Sequence, residues 1–257
     1  TGCRPGRRAA TARIRRKEDG LPLPRLRGPG DTAAMESDSS PPIRRVVLLH
    51  GIWNARTWVE PLALRLRRAG FEVEPFGYSG VFEGPETAAE RLRERLAAGA
   101  PVALVGHSLG GLVALEALRG RPELPVERVV CLGSPLRGSR AARAVAGHPW
   151  AAPALGGSRR LLQDGLPPWD GRARVGMVAG DRSHGLGQLF ADLGDGSDGT
   201  VALDETRLPG LADHCVVHAS HSALVFSAEA ARQAAAFLRW GAFLPVAGAG
   251  GGAGAIG

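Results

Sequence analysis

A chain of 257 residues has room for one α/β domain with tails, and a domain of that length buries roughly 70% of its unfolded surface. No apolar run approaches the ~20 residues that a membrane span requires, so no integral membrane segment is expected. The net charge of +7 is local: residues 1–34 hold nine basic and three acidic side chains, six of the seven charges, and the near-neutral remainder argues against a nucleic-acid partner. Cys3, Cys131 and Cys215 form no C-x-x-C pair and no even set. With Cys131 and Cys215 in apolar strand patterns, they read as free thiols in a reducing, cytoplasmic setting.

Residues 1–41 carry Arg, Pro, Gly and Ser with almost no apolar periodicity and are expected to be disordered. They lack the apolar stretch of about 7–15 residues of a secretory signal, and Arg15-Arg16 lacks the one that follows a twin-arginine pair. Residues 1–34, ahead of Met35, are expected to be an extension with little function. The folded domain is expected over 42–244, with a flexible Gly/Ala tail over 245–257.

Within the domain, 43–49 reads as a buried strand ending at His50-Gly51. A helix follows over 61–69, with Leu62, Leu64 and Leu66 as its apolar positions and Gly70 as its stop. Residues 71–76 form the next strand, and Thr87 with Glu90 predicts a capping box opening a helix to about Ala98, with Leu92 and Leu96 inward. Strands over 101–106, 127–132, 174–179 and 214–219 and a closing helix from Ser227 to about Arg239 complete the pattern. Residues 138–170, rich in Ala, Gly, Pro and Trp, hold short helical pieces at best. Alternating strands and helices predict a mostly parallel sheet of about six strands covered on both faces.

The stretch Gly106-His107-Ser108-Leu109-Gly110-Gly111 stands between strand and helix, which makes it a nucleophile elbow. A serine hydroxyl is a weak nucleophile and must stand where a histidine can take its proton. The tight turn lifts Ser108 clear of the sheet, tolerates only small neighbours at Gly106 and Gly110, and aims the Leu109 N–H at charge developing on a substrate. His107, just before the nucleophile, is expected to point away from the site. The elbow needs a base and a group to orient it. His221 lies beyond the last strand, where a loop can carry it over Ser108. His218 falls inside that strand and His214 at its start. The acid should come from the aspartates between: Asp181, Asp195 or Asp198.

These pieces, with Leu48-Leu49-His50-Gly51-Ile52-Trp53, Leu132-Gly133-Ser134-Pro135, Ser197-Asp198-Gly199-Thr200-Val201 and Ser220-His221-Ser222, give the chain a resemblance to the α/β-hydrolases, and within them to short lipases and esterases. The resemblance spans Pro42 to about Phe243. It implies an α/β-hydrolase fold with 138–170 as a short lid. It favours Asp198 as the acid, ahead of Asp181 at a strand end and then Asp195, and it implies the Ile52 N–H as the oxyanion donor beside Leu109. His50 is expected to brace that loop. Ser134 and Ser139 sit in a segment similar to the Gly-Thr-Pro motif of lipases and are expected to support a loop. Trp53 and Trp58 are candidates to line an acyl pocket, with core packing as the alternative.

No Walker loop or dinucleotide fingerprint appears, and His214, His218 and His221 lack the H-E-x-x-H frame, so neither metal nor cofactor is expected. The expected activity is that of a serine esterase or lipase acting on a small-molecule ester with an apolar acyl chain, through an acyl-enzyme on Ser108. An acyltransferase using the same intermediate is the alternative, and a catalytically silent binding protein on the scaffold is a third reading.

Overall fold

The computed structural model describes residues 43–97, 99–183 and 196–245. The expectations for residues 1–41, the tail from 246 onward and Asp195 lie outside them. Six strands, β1 (Arg45–Leu49), β2 (Glu72–Phe76), β3 (Val102–His107), β4 (Val126–Leu132), β5 (Arg174–Gly180) and β6 (Asp213–Val217), make one parallel sheet in the order β2-β1-β3-β4-β5-β6. The helices are α1 (Glu60–Arg68), α2 (Pro85–Ala97), α3 (Leu109–Leu118), α4 (Arg140–Gly147), α5 (Arg159–Asp164) and α6 (Ala228–Trp240).

Strand side chains alternate between two cores. Val47 and Leu49 of β1 and Leu104 of β3 face α2 and α3, whereas Val46, Leu48, Ala103 and Val105 face α1 and α6. This double covering is why the strands read as continuous apolar runs. From β2 the chain crosses back over β1 to β3, so the strand order reverses between β1 and β3. In open α/β sheets the crevice at the carboxyl ends of such a pair is where ligands bind.

Three local expectations are corrected. α2 starts at Pro85, so Thr87 lies inside it and forms no capping box. Proline has no N–H to lose and a φ preset for the first helical position, which moves the start upstream. Leu64 is exposed, because a residue two positions from Leu62 and Leu66 stands on the opposite side of a helix. β6 ends at Val217, which leaves His218 outside the strand.

The excursion between β4 and β5 holds α4, a short 3-10 stretch over Ala152–Ser158 and α5. Two bonds tie its ends together, Ser139 N–H to Leu162 O and Leu166 N–H to Leu136 O, both 2.8 Å. Its middle rests on the loop after β2, where Gly157 N–H donates to Val81 O (3.0 Å) and Ser158 Oγ donates to Gly80 O (2.5 Å). Among the described residues no helix is long and apolar enough to cross a membrane.

Candidate active site

Ser108 follows β3 directly and opens α3, with φ 56° and ψ −122°. Among the described residues it is the only non-glycine with positive φ, a strain of roughly 1–3 kcal/mol that the surroundings must hold in place. Its neighbours permit that turn. A Cβ on Gly106 would lie 2.4 Å from Gly111 N, and one on Gly110 2.7 Å from His50 O. The Ser108 N–H is fixed by Leu132 O at the end of β4 (2.9 Å).

The fold brings Ser108, His221 and Asp198 together. His221 Nε2 lies 3.0 Å from Ser108 Oγ, and His221 Nδ1 lies 2.7 Å from Asp198 Oδ2. Nδ1 donates to the buried Asp198 carboxylate, which leaves Nε2 to accept from the serine hydroxyl. The other carboxylate oxygen, Oδ1, accepts the N–H groups of Thr200 (3.0 Å) and Val201 (2.7 Å). Main chain joins acid and base as well, because His221 N–H donates to Asp198 O (2.9 Å).

Asp181 pairs with a different histidine. His218 Nδ1 lies 2.9 Å from Asp181 Oδ1 and His218 Nε2 accepts from Arg182 Nε (2.7 Å). Both nitrogens of this exposed ring are engaged away from Ser108. His214 bonds Thr206 Oγ1 through Nε2 (2.8 Å). Among the described residues no group of three or more His, Cys, Asp or Glu is placed to hold a metal ion.

The loop after β1 lies against the nucleophile: a Cβ on Gly51 would be 3.3 Å from Ser108 Cβ. His50 braces it. The ring stacks on Tyr78 with centroids 4.5 Å apart, its Nδ1 lies 2.8 Å from Gly51 O, and Tyr78 Oη donates to His50 O (2.6 Å). Burial lowers the pKa of His50, so Nδ1–H donates and holds the Gly51 carbonyl. In a trans peptide the following N–H, that of Ile52, points the opposite way. Among the described residues no acceptor takes the N–H of Ile52 or of Leu109, which leaves both available to an oxygen at Ser108. The Gly80 backbone presses on this loop, since a Cβ there would be 2.9 Å from Ile52 Cα.

Two contributors were not legible as such in the sequence. His107, expected to point away, lies with its ring 4.9 Å from that of His221 and its Nε2 3.0 Å from His221 O. Burial pushes its pKa down to about 3, so the neutral ring donates from Nε2 and pins the base's backbone. Gly133, at φ +57°, lies against the acid–base contact. A Cβ there would be 3.1 Å from Asp198 Oδ2 and 3.2 Å from His221 Nδ1. The only signal for either was adjacency to a motif.

Neither Trp53 nor Trp58 is packed in a core: Trp53 is 55% exposed and Trp58 37%. The Trp53 indole N–H donates to Ala154 O (2.8 Å), tying the loop after β1 to the excursion. Trp58 packs edge-on against Phe226 at 5.5 Å. Ser139 caps α4 by accepting from Ala142 N–H (3.1 Å), and Ser134 is fully buried beneath α3, where it packs against Gly111.

No curated protein matches the chain in sequence. Solved structures with the same fold include the mature lipase BlEst2 of Bacillus licheniformis (21% identity, TM-score 0.60, 77% of this chain and 93% of that one). A metagenomic carboxyl esterase aligns at 20% identity and TM-score 0.56, over 72% of this chain and 66% of that one. The type II thioesterase BorB of the borrelidin biosynthetic cluster aligns at 19% and 0.51, over 77% and 92%. At these identities the likeness is one of fold. The profile of the Alpha/beta hydrolase family matches residues 46–252, and with the sheet order and the elbow on β3 this chain belongs to that family.

Proposed function

We propose that this hydrolase cleaves carboxylic esters through an acyl-enzyme on Ser108, with His221 as proton carrier and Asp198 as its orienting acid. The observation that carries the reading is the unbroken relay of 3.0 Å from Ser108 Oγ to His221 Nε2 and 2.7 Å from His221 Nδ1 to Asp198 Oδ2. As Ser108 Oγ bonds to the ester carbonyl carbon, its proton passes to Nε2 and the carbonyl π electrons move onto oxygen. The N–H groups of Ile52 and Leu109 receive that charge, and losing one such donor typically costs roughly 3–4 kcal/mol. Collapse of the adduct breaks the bond to the alcohol, which leaves with the Nε2 proton. Water then attacks the acyl-enzyme with the same histidine as base.

Exposed Trp53, Phe82 and Phe226, on the segments that follow β1, β2 and β6 at the carboxyl ends of the strands, support an apolar acyl or alcohol portion, as does the likeness to a lipase and a carboxyl esterase. The test is hydrolysis of p-nitrophenyl esters of graded chain length by wild type and Ser108→Ala, with fluorophosphonate labelling of both. The variant should lose at least about a thousandfold in kcat/KM and all labelling, because the attacking atom is gone. Equal rates in the two proteins would overturn the reading.

A further inference from the structure

Glu205 lies outside the relay, yet its carboxylate is nearly as buried as that of Asp198, 4% exposed against 1%. Its cation is a loose one: Arg140 Nε stands 4.0 Å away, at the outer limit of an ion pair, while the end of that guanidinium pairs with Asp204. Burial raises the pKa of Glu205. Holding a carboxylate in such a place costs several kcal/mol unless hydrogen bonds compensate. Here two backbone N–H groups do so, from two different segments. Oε1 accepts from Arg140 N (2.6 Å) and Oε2 from Ala202 N (2.9 Å). A glutamine could serve only one of them, since its amide nitrogen is itself a donor. Only a carboxylate satisfies both.

The two segments explain the arrangement. Ala202 closes the turn that carries the acid: Ser197 and Ala202 pair as an antiparallel bridge, and Asp198 N–H donates to Val201 O (3.1 Å). Val201, next to Ala202, is one of the two residues whose N–H holds Asp198 Oδ1. Arg140 is the first residue of α4, at the base of the excursion. A main-chain bond reinforces the junction, Arg137 N–H to Glu205 O (2.9 Å).

We propose that Glu205 is a positioning residue for Asp198: its carboxylate clamps the acid turn to the first turn of α4 and so fixes Asp198 Oδ2 against His221. The inference rests on the Ser108–His221–Asp198 reading. Misplacement by 1 Å costs about a hundredfold in rate, so a shift of about half an ångström should cost about tenfold.

A single N–H can be removed without touching Glu205. Ser139 already has the extended backbone (φ −117°, ψ 123°) that a residue before proline adopts, and proline suits the first helical position. Arg140→Pro therefore deletes the donor and keeps the helix, while Arg140→Ala removes the same side chain and keeps the donor. Expected: Arg140→Ala holds kcat within about twofold of wild type, whereas Arg140→Pro and Glu205→Gln lower it about tenfold with KM little changed. In the last two, the low-field proton NMR signal of the hydrogen shared by His221 and Asp198 should shift or broaden. Wild-type kcat and an unmoved signal in Arg140→Pro and Glu205→Gln would overturn the proposal, as would equal losses in the two Arg140 variants. If the wild type hydrolyses no ester, the ester reading fails and the proton signal still decides the role of Glu205.

Discussion

Gly133→Ala isolates the spacing of acid and base. The residue has φ +57°, and its added Cβ would meet Leu224 Cδ1 at 2.7 Å, Asp198 Oδ2 at 3.1 Å and His221 Nδ1 at 3.2 Å. The backbone conformation alone costs an L residue roughly 1–2 kcal/mol. Leu224 must give way by most of an ångström and the acid–base pair by a few tenths. With about a hundredfold lost per ångström of misplacement, kcat should fall about four- to tenfold while KM moves less than about threefold. Gly120→Ala supplies the control, since Gly120 has φ +66° and its Cβ would meet nothing within 4 Å. Both variants should lose a similar backbone increment in a urea melt, and only Gly133→Ala should lose turnover. If Gly133→Ala retains kcat within about twofold while both melts shift alike, the methyl group is tolerated beside the relay and the spacing argument is wrong.

Two further outcomes follow from buried titratable groups. His107, held at about 3 against an ordinary 6.5, stays neutral in the fold while the unfolded chain binds its proton; stability therefore falls as pH drops through 6.5 toward 3, by on the order of 1.4 kcal/mol per unit. Urea midpoints that do not fall between pH 6.5 and 4.5 would show the ring taking a proton in place. Cys131 and Cys215 are buried free thiols pushed up to about 12, so at pH 8 iodoacetamide should leave both unmodified in the folded protein and alkylate both in denaturant, as read by peptide mapping.

What the sequence discloses of this molecule is what its chemistry requires locally. A serine that must stand on a strand-to-helix bend forces small residues on both sides of it, and Gly106, Ser108 and Gly110 are therefore visible without coordinates. The strands are visible because sheet faces covered on both sides leave only apolar residues to choose from. Contacts between distant segments leave no such trace. His107 finds its partner carbonyl 114 residues away, and Gly133 meets the acid–base pair only because β4, the Asp198 turn and the His221 loop end together. Asp181 and Asp198 both lie at places where a turn can present a carboxylate. The difference is where each backbone runs: Asp181 N–H bonds Val217 O and its side chain stays with exposed His218, while the Asp198 turn folds inward under His221. Thr87 shows a local rule losing to a stronger one, because Pro85 opens the helix first.

The relay owes its geometry more to main chain than to side chains. Ser108 is anchored by Leu132 O, Asp198 by the N–H groups of its own turn, and His221 from both sides, its N–H on Asp198 O and its carbonyl under His107. Acid and base therefore cannot drift apart without breaking a backbone bond as well as the side-chain one. Main-chain bonds do not depend on which side chains surround them, so the exposed side chains of Trp53, Phe82 and Phe226 can change in polarity while these bonds stay in place.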